Sequence, residues 1–267
     1  MQLSLFLSII LPFLLPPPLP ATIGDIPVPP GYQRLSLPAG SVGEYLRRIP
    51  LRANNTVYLY NGQPKTNQSA QFAVTAIPIR KEDILQCADA VILLRASYLF
   101  ESGRLDEICF RATDGTRLSY ADWCAGKRYR LQGQKLVVSS KPAAVTGRYN
   151  RKSLDAYLDF VFRFAGTASL ARQLVKIDPV KELAPGDVFL QGGFPGHIVL
   201  VVDMAADAAG RRKYLLLQGY MPSQDIHVLR CPANAAGDPW YSLDNRDVRT
   251  PEWHFPAGAA CRFAVEP

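Results

Sequence analysis

Histidine is scarce in this chain: only His197, His227 and His254 are present, against five cysteines. No two cysteines form a CxxC pair and no Cys/His spacing resembles a zinc site, which excludes a finger-type structural metal and implies neither metal nor cofactor. No basic helix with base-reading polar residues occurs, nor any aromatic RNA-binding signature, so nucleic acid is not an expected partner. Internal repeats are absent, and no linker after residue 40 divides the chain. No apolar run reaches the roughly 20 residues that span a bilayer. The nearest approach is the N-terminal MQLSLFLSIILPFLLPPPLPA. It is short, has no Lys or Arg near Met1, and reads as a secretory signal peptide over 1–21, with Ala21 before the cleavage point. Export to the periplasm or cell surface is therefore expected. No cysteine follows closely, which argues against a lipid anchor.

What the chain does carry is excess positive charge, with 30 Lys and Arg against 23 Asp and Glu, a formal net charge of +7. No acidic residue falls between Trp123 and Leu154, while basic residues recur through 127–152. This stretch fits an anionic surface, such as an envelope polymer or lipid headgroups, and equally a solvated loop and helix face. In an oxidising compartment Cys109, Cys124, Cys231 and Cys261 could form two disulfides, leaving Cys87 as the odd thiol. The alternative is that all five are small buried hydrophobes.

Residues 22–40 are proline-rich and read as a linker into a single domain over 41–267. SVGEYLRRIPL reads as a short helix capped by Ser41, with Glu44 three places on. TVYLYNG and QFAVTAIPI read as strands. EDILQCADAVILLRASYLFESG is the strongest helix, capped by Asp83 and ended by Gly103, and apolar around most of its girth. It is therefore expected at the centre of the fold. A second helix is expected over Ser153 to Phe164. After Gly186 come strands, in the segments DVFL, HIVLVV, KYLLLQ, DIHVL and CRFAV. Helices first and a mostly antiparallel sheet afterwards make an α+β order.

One of the three histidines stands in GDVFLQGGFPGHIVLVVD, between a glycine-rich turn and an apolar run without alternation. Both faces of that strand are expected to be covered, so His197 is rigidly held at its mouth. Two other positions join it. Cys87 lies near the start of the buried helix, where free backbone N–H groups and the helix dipole favour a thiolate. Gln218 ends the strand after His197. If the two strands are symmetric about the loop MAADAAGR, Asp203 faces Arg212 in a surface ion pair and His197 lies directly opposite Gln218, with Cβ atoms about 5 Å apart. The carboxamide then fixes the imidazole tautomer and leaves the other ring nitrogen for the sulfur. Gln86, Ser223, Gln224 and Asp225 are candidates to line the site, Gln86 also assisting an oxyanion. PWY and PEWHF supply aromatics suited to stacking on a ligand or to sealing the core edge.

A cysteine at the head of a central helix, then GDVF before a histidine-led strand, then a polar residue on the next strand resembles the papain-like cell-wall peptidases of NlpC type. That resemblance implies a papain-like frame with Cys87 as nucleophile, His197 as base and Gln218 as orienter. The implied function is a secreted cysteine hydrolase of peptide or amide bonds in the cell envelope. The pattern departs from the family at Gln86-Cys87-Ala88, where an acidic residue, cysteine and serine are common. More closely, QCADAVILLRASYL, GDVFLQGGFPGHIVLVVDMA, LLLQGYMPSQDIHVL, DPWY and TPEWHF resemble a secreted bacterial family described as a domain of unknown function (number 4846), which brings no activity with it. The alternative functions are a binding module that keeps the frame without turnover, and a structural envelope protein.

Overall fold

The computed structural model describes residues 19–140, 149–234, 237–244 and 247–264. The expected signal peptide falls mostly outside them, as do residues 141–148 of the basic stretch. Among the described residues no helix is long and apolar enough to cross a membrane.

The architecture is α+β. A nine-stranded sheet is formed by β1 (Tyr32–Arg34), β2 (Gln71–Val74), β3 (Leu174–Lys176), β4 (Val188–Gln191), β5 (His197–Asp207), β6 (Arg212–Gln218), β7 (His227–Leu229), β8 (Tyr241–Ser242) and β9 (Ala260–Phe263). Its order is β2-β7-β6-β5-β4-β9-β3, with β1 beside the far end of β5 and β8 beside the near end of β6. Every pairing is antiparallel. Among the helices are α1 (Val42–Arg47), α2 (Cys87–Glu101), α3 (Tyr120–Cys124), α4 (Arg151–Phe164) and α5 (Thr167–Gln173), of which α2, α4 and α5 line the cleft described below. TVYLYNG, expected as a strand, makes only isolated bridges, Tyr58 with Pro64 and Leu59 with Gln224.

Helix α2 starts at Cys87, not at Ile84 as capping by Asp83 implied. Gln86 holds the cap position, and its backbone N–H donates to Asp89 Oδ2 at 2.9 Å. Gly103, at φ +72, ends it. Twelve of its residues are buried, so packing around the whole girth rather than an amphipathic stripe holds it in place. The unalternating run on β5 is explained by the two cores it divides. Ile198, Leu200 and Val202 pack with α2, while Val199 and Val201 join Phe189, Tyr214 and Phe255 on the opposite face.

The β5–β6 register differs from the symmetric hairpin. Arg212 faces Ala206 and Asp203 faces Leu215, because β5 runs on to Asp207 and the turn is shorter than MAADAAGR. Leu216 then faces Val201, which leaves Val202 as an extra, bulged residue. Without the bulge Gln218 would fall on the other face from His197. With it, Gln218 lies one step past the Leu217–Leu200 pair, against Val199, diagonal to His197 and on the same face.

The expected Asp203–Arg212 surface pair is absent for the same reason. Asp203 is fully buried and takes Arg34 Nε at 2.7 Å and Arg47 Nη2 at 2.6 Å, with Met204 N–H donating at 2.8 Å. Asp203→Ala strands two guanidinium groups and is expected to cost roughly 3–5 kcal/mol in urea unfolding. A loss below about 1 kcal/mol would show instead a screened pair of the surface kind.

Two further expectations are corrected. Residues 22–40 are not a free linker. Ile23 and Ile26 are fully buried, the Pro27 carbonyl accepts from Trp240 Nε1 at 2.8 Å, and β1 pairs with β5. Proline restrains this segment without keeping it off the core. The two disulfides are not formed among the described residues: all five cysteines are buried thiols, packed as small hydrophobes in the core.

Candidate active site

The first turn of α2 presents Cys87 to a cleft of about 370 Å3. The cleft is lined by Cys87, Asp89, Phe162, Thr167, Phe194 and Met221, among others. Gln86 is also on its wall, as expected for a residue next to the thiol, and its carboxamide Nε2 donates to Asp83 Oδ1 at 3.0 Å. Phe194 and Met221 stand out from the surface as apolar lips, with 86% and 59% of their area exposed. The glycine-rich turn is what forms one wall. A Cβ on Gly196 would lie 2.4 Å from Thr167 Oγ1, so only glycine lets the turn close on α5. At the end of β6 a Cβ on Gly219 would lie 2.8 Å from the Gln86 carbonyl, so glycine also brings the Gln218 strand end against the helix start.

Backbone N–H groups of Ala88, Ile198 and Cys87 itself face the sulfur. Ile198 follows His197, so the sulfur sits beside the mouth of β5. Burial, and then the nearby Asp89, nevertheless push the thiol up to about 11. Desolvation outweighs the dipole benefit expected for the helix start. Burial likewise pushes the Asp89 carboxyl up to about 8, and Asp89 Oδ1 has no partner.

His197 is held by a chain of hydrogen bonds that fixes its tautomer. Lys65 Nζ pairs with Glu252 Oε2 at 2.6 Å, and Gln218 Nε2 donates to the same oxygen at 2.8 Å. A carboxylate only accepts, so the Gln218 amide nitrogen must point at it and Oε1 must point at His197. His197 Nε2 lies 3.0 Å from that oxygen and therefore carries the proton. Nδ1 is left as the basic nitrogen, without a hydrogen-bond partner among the described residues and not among the sealed, unsatisfied buried atoms. His227 completes the network: its Nδ1 donates to the Asp225 carbonyl at 2.8 Å and its Nε2 accepts from Gln218 Nε2 at 3.2 Å.

Around the His197 ring stand Tyr220, edge-on at 5.0 Å between centroids, Trp253 at 5.2 Å and Phe255, stacked at 5.7 Å. These aromatics leave it 2% exposed. Burial lowers its pKa to about 4, and burial does the same to His227. Among the described residues no hydrogen bond joins the Cys87 sulfur to the His197 ring. At rest the thiol and the imidazole are both neutral.

This gives a pH dependence with a definite sign. Both histidines titrate near 6.5 when unfolded and near 4 when folded. Between those values the unfolded chain binds more protons, so their contribution is complete above about 6.5 and is lost as pH falls towards 4. Urea unfolding is expected to show stability dropping by up to about 3 kcal/mol per pH unit in that window. A His227→Gln variant should show a shallower slope, and an unchanged slope would mean that His227 is not held neutral.

Of the expected site residues, Cys87 and Gln86 line the cleft, while His197 and Gln218 meet each other on the sheet face that carries Val199 and Phe255, adjoining the cleft through the backbone of Ile198 and Gly219. Ser223, Gln224 and Asp225 do not line it. They are 0%, 1% and 5% exposed and serve the neighbouring loop: Ser223 N–H donates to Asp83 Oδ1 at 2.6 Å, and the Asp225 carboxylate takes Tyr58 N–H at 2.8 Å and pairs with Arg52. Met221 stands at the cleft in their place. The sequence reading missed Glu252, Lys65 and the part played by His227. PEWHF was read only as aromatic, yet it supplies Glu252 and Trp253 to the network. PWY seals the core, with Trp240 and Tyr241 buried. His254 is exposed and paired with Asp247 at 2.7 Å. In the basic stretch Lys127 pairs with Asp122 at 3.0 Å and the Arg128 guanidinium lies 3.8 Å from the Trp123 ring centroid, so part of that charge is engaged within the domain. Among the described residues no group of acidic, histidine and cysteine side chains could hold a metal.

A family model described as domain of unknown function (4846) matches residues 24–262. No curated protein and no solved structure matches the chain.

Proposed function

Because the chain belongs to the family described as domain of unknown function (4846), a description that names no activity, we propose from the site's own chemistry that it is a cysteine hydrolase of amide or peptide bonds. The frame proposed is papain-like, of NlpC type, and the setting is the cell envelope after export. One observation carries the reading: Cys87 opens on a cleft at a helix start, its sulfur met by the backbone N–H of Ile198, the residue after His197, whose ring proton is held on Nε2 by the Gln218–Glu252 chain.

The mechanism follows from the neutral pair. As Cys87 Sγ attacks the carbonyl carbon, its proton passes to His197 Nδ1. The oxyanion is met by backbone N–H groups at the start of α2, with Gln86 adjacent. Collapse breaks the C–N bond, and His197 returns the proton to the leaving amine. Water then attacks the thioester, losing a proton to the same nitrogen, and Cys87 leaves as thiol. Phe194 and Met221, at the same cleft, offer apolar contact to the substrate. No cofactor takes part in these steps.

A second reading is favoured by the His197 burial and by the absence of a hydrogen bond from sulfur to ring: a binding module that retains the frame without turnover. The two are separated by measuring free-amine release from a panel of short envelope-type peptides and amides. Turnover that disappears in Cys87→Ala supports the hydrolase. Saturable binding without any amine release supports the binding module.

A further inference from the structure

A second cavity lies on the opposite half of α2, about 12 Å along the helix from Cys87 as judged from the rise per residue. It has a volume of about 310 Å3, at the lower end of small-molecule pockets. Its walls are mainly aliphatic: Val42, Leu46, Val91, Leu94 and Leu200 face it. Three arginines also reach it, Arg95, Arg104 and Arg262.

Two of those arginines are already neutralised. Arg104 forms a two-pronged pair with Glu107, both contacts at 2.5 Å, and Arg262 forms one with Asp187, both at 2.7 Å. Arg95 has no hydrogen bond and no ion pair among the described residues; its guanidinium lies over the Phe263 ring, 5.3 Å from the centroid. A guanidinium carries five donors in a planar fork, and those of half-buried Arg95 are not among the sealed buried atoms, so they are left open for an acceptor in the cavity. Burial, and then the charge of Arg104, lower its pKa, while Glu107, already forked to Arg104, raises it. The cavity therefore joins a cation without a hydrogen-bonded acceptor among the described residues to aliphatic walls.

We propose that this cavity binds an anionic amphiphile, with a single carboxylate gripped by the Arg95 fork and an alkyl body lying against Val42, Leu46, Val91 and Leu94. The carboxylate matches the fork two bonds at a time, which an alcohol or an amine cannot do. Neither the cleft at Cys87 nor the hydrolase reading enters the argument.

The test is calorimetric titration of the whole chain with octanoate, 1-octanol and octylammonium. Octanoate is expected to bind saturably, at one molecule per chain and at least tenfold more tightly than octanol, with octylammonium weakest. Arg95→Met should weaken octanoate at least tenfold and leave octanol within twofold, and Arg95→Lys should recover part of the loss. Phe194→Ser, on the lip of the other cleft, should leave octanoate affinity unchanged. Octanoate binding no better than octanol in the unsubstituted chain overturns the proposal, whether or not the variants fold. So does octanoate affinity that survives Arg95→Met, or that falls with Phe194→Ser.

Discussion

Cys87→Ala is expected to lower amide hydrolysis by about 10^4-fold or more, with the thermal midpoint nearly unchanged. The size follows from the division of labour in the site. His197 and the backbone N–H groups act only on an attacking sulfur, so removing it leaves binding in the cleft but no covalent route. Cys87→Ser is expected to be almost as severe, because the backbone N–H groups at this helix start lower the pKa of the nucleophile by less than burial raises it, even for the more acidic thiol. The fold tolerates the change because alanine removes a single atom from the first turn, while the other eleven buried residues of α2 keep their contacts. Alanine at Cys109, Cys124, Cys231 or Cys261 serves as the comparison and should leave activity per folded molecule intact. Amine release by the unsubstituted chain and each variant, under substrate saturation, reads the difference directly.

Glu252→Ala is expected to have the largest combined effect on stability and activity. Glu252 is the only carboxylate in contact with Lys65 among the described residues, and Lys65 is 8% exposed, its nitrogen 5.4 Å from the Tyr220 ring centroid. Removing one partner of a buried pair costs roughly 3–5 kcal/mol, since the other charge is left without compensation. Activity is lost by a separate route. Without the carboxylate, the Gln218 amide is free to turn its NH2 towards His197 Nε2, which drives the imidazole proton to Nδ1. No base then faces the sulfur, and hydrolysis should fall by about 10^2-fold or more. The double variant Lys65→Met/Glu252→Leu separates the two effects, because it removes the stranded charge but not the tautomer fault. Urea unfolding should recover most of the lost stability while amine release stays low. Recovery of both together would show that Glu252 acts through stability alone.

The parts of this arrangement that could be read in the sequence are those written in local pattern. The run IVLVV announced a strand covered on both faces, and QCADAVILLRASYL announced a buried helix. Cys87, His197 and Gln218 were legible because each stands at the end of such an element. The register was not legible. It turns on one bulged residue, Val202, and on a β5 that continues through Ala205 and Ala206, neither of which carries a local signal. The correct pairing of Gln218 with His197 was reached from an incorrect alignment, since an error of two residues preserves the face. Glu252 was invisible because the residues it joins, Lys65 and Gln218, are distant in sequence and meet only when the hairpin of Val248–Arg249 with His254–Phe255 folds over the sheet. Ser223 to Asp225 misled because polar residues beside a site resemble a lining, whereas here they satisfy the backbone of a buried loop. The prolines of 22–40 misled because composition reports what a segment cannot form, not whether it packs.

The central claim is that Cys87 and His197 act as one unit, with the imidazole taking the thiol proton during attack. It is tested most directly by the pH dependence of Cys87 alkylation by iodoacetamide, followed by mass spectrometry in the unsubstituted chain and in His197→Ala. The expected profile is a base-assisted plateau above a limb near pH 4, where His197 loses its proton-accepting nitrogen. In His197→Ala the plateau is expected to vanish and the rate simply to rise with hydroxide towards about 11. The same hydroxide-proportional line in both proteins would contradict the claim, for the sulfur would then react alone.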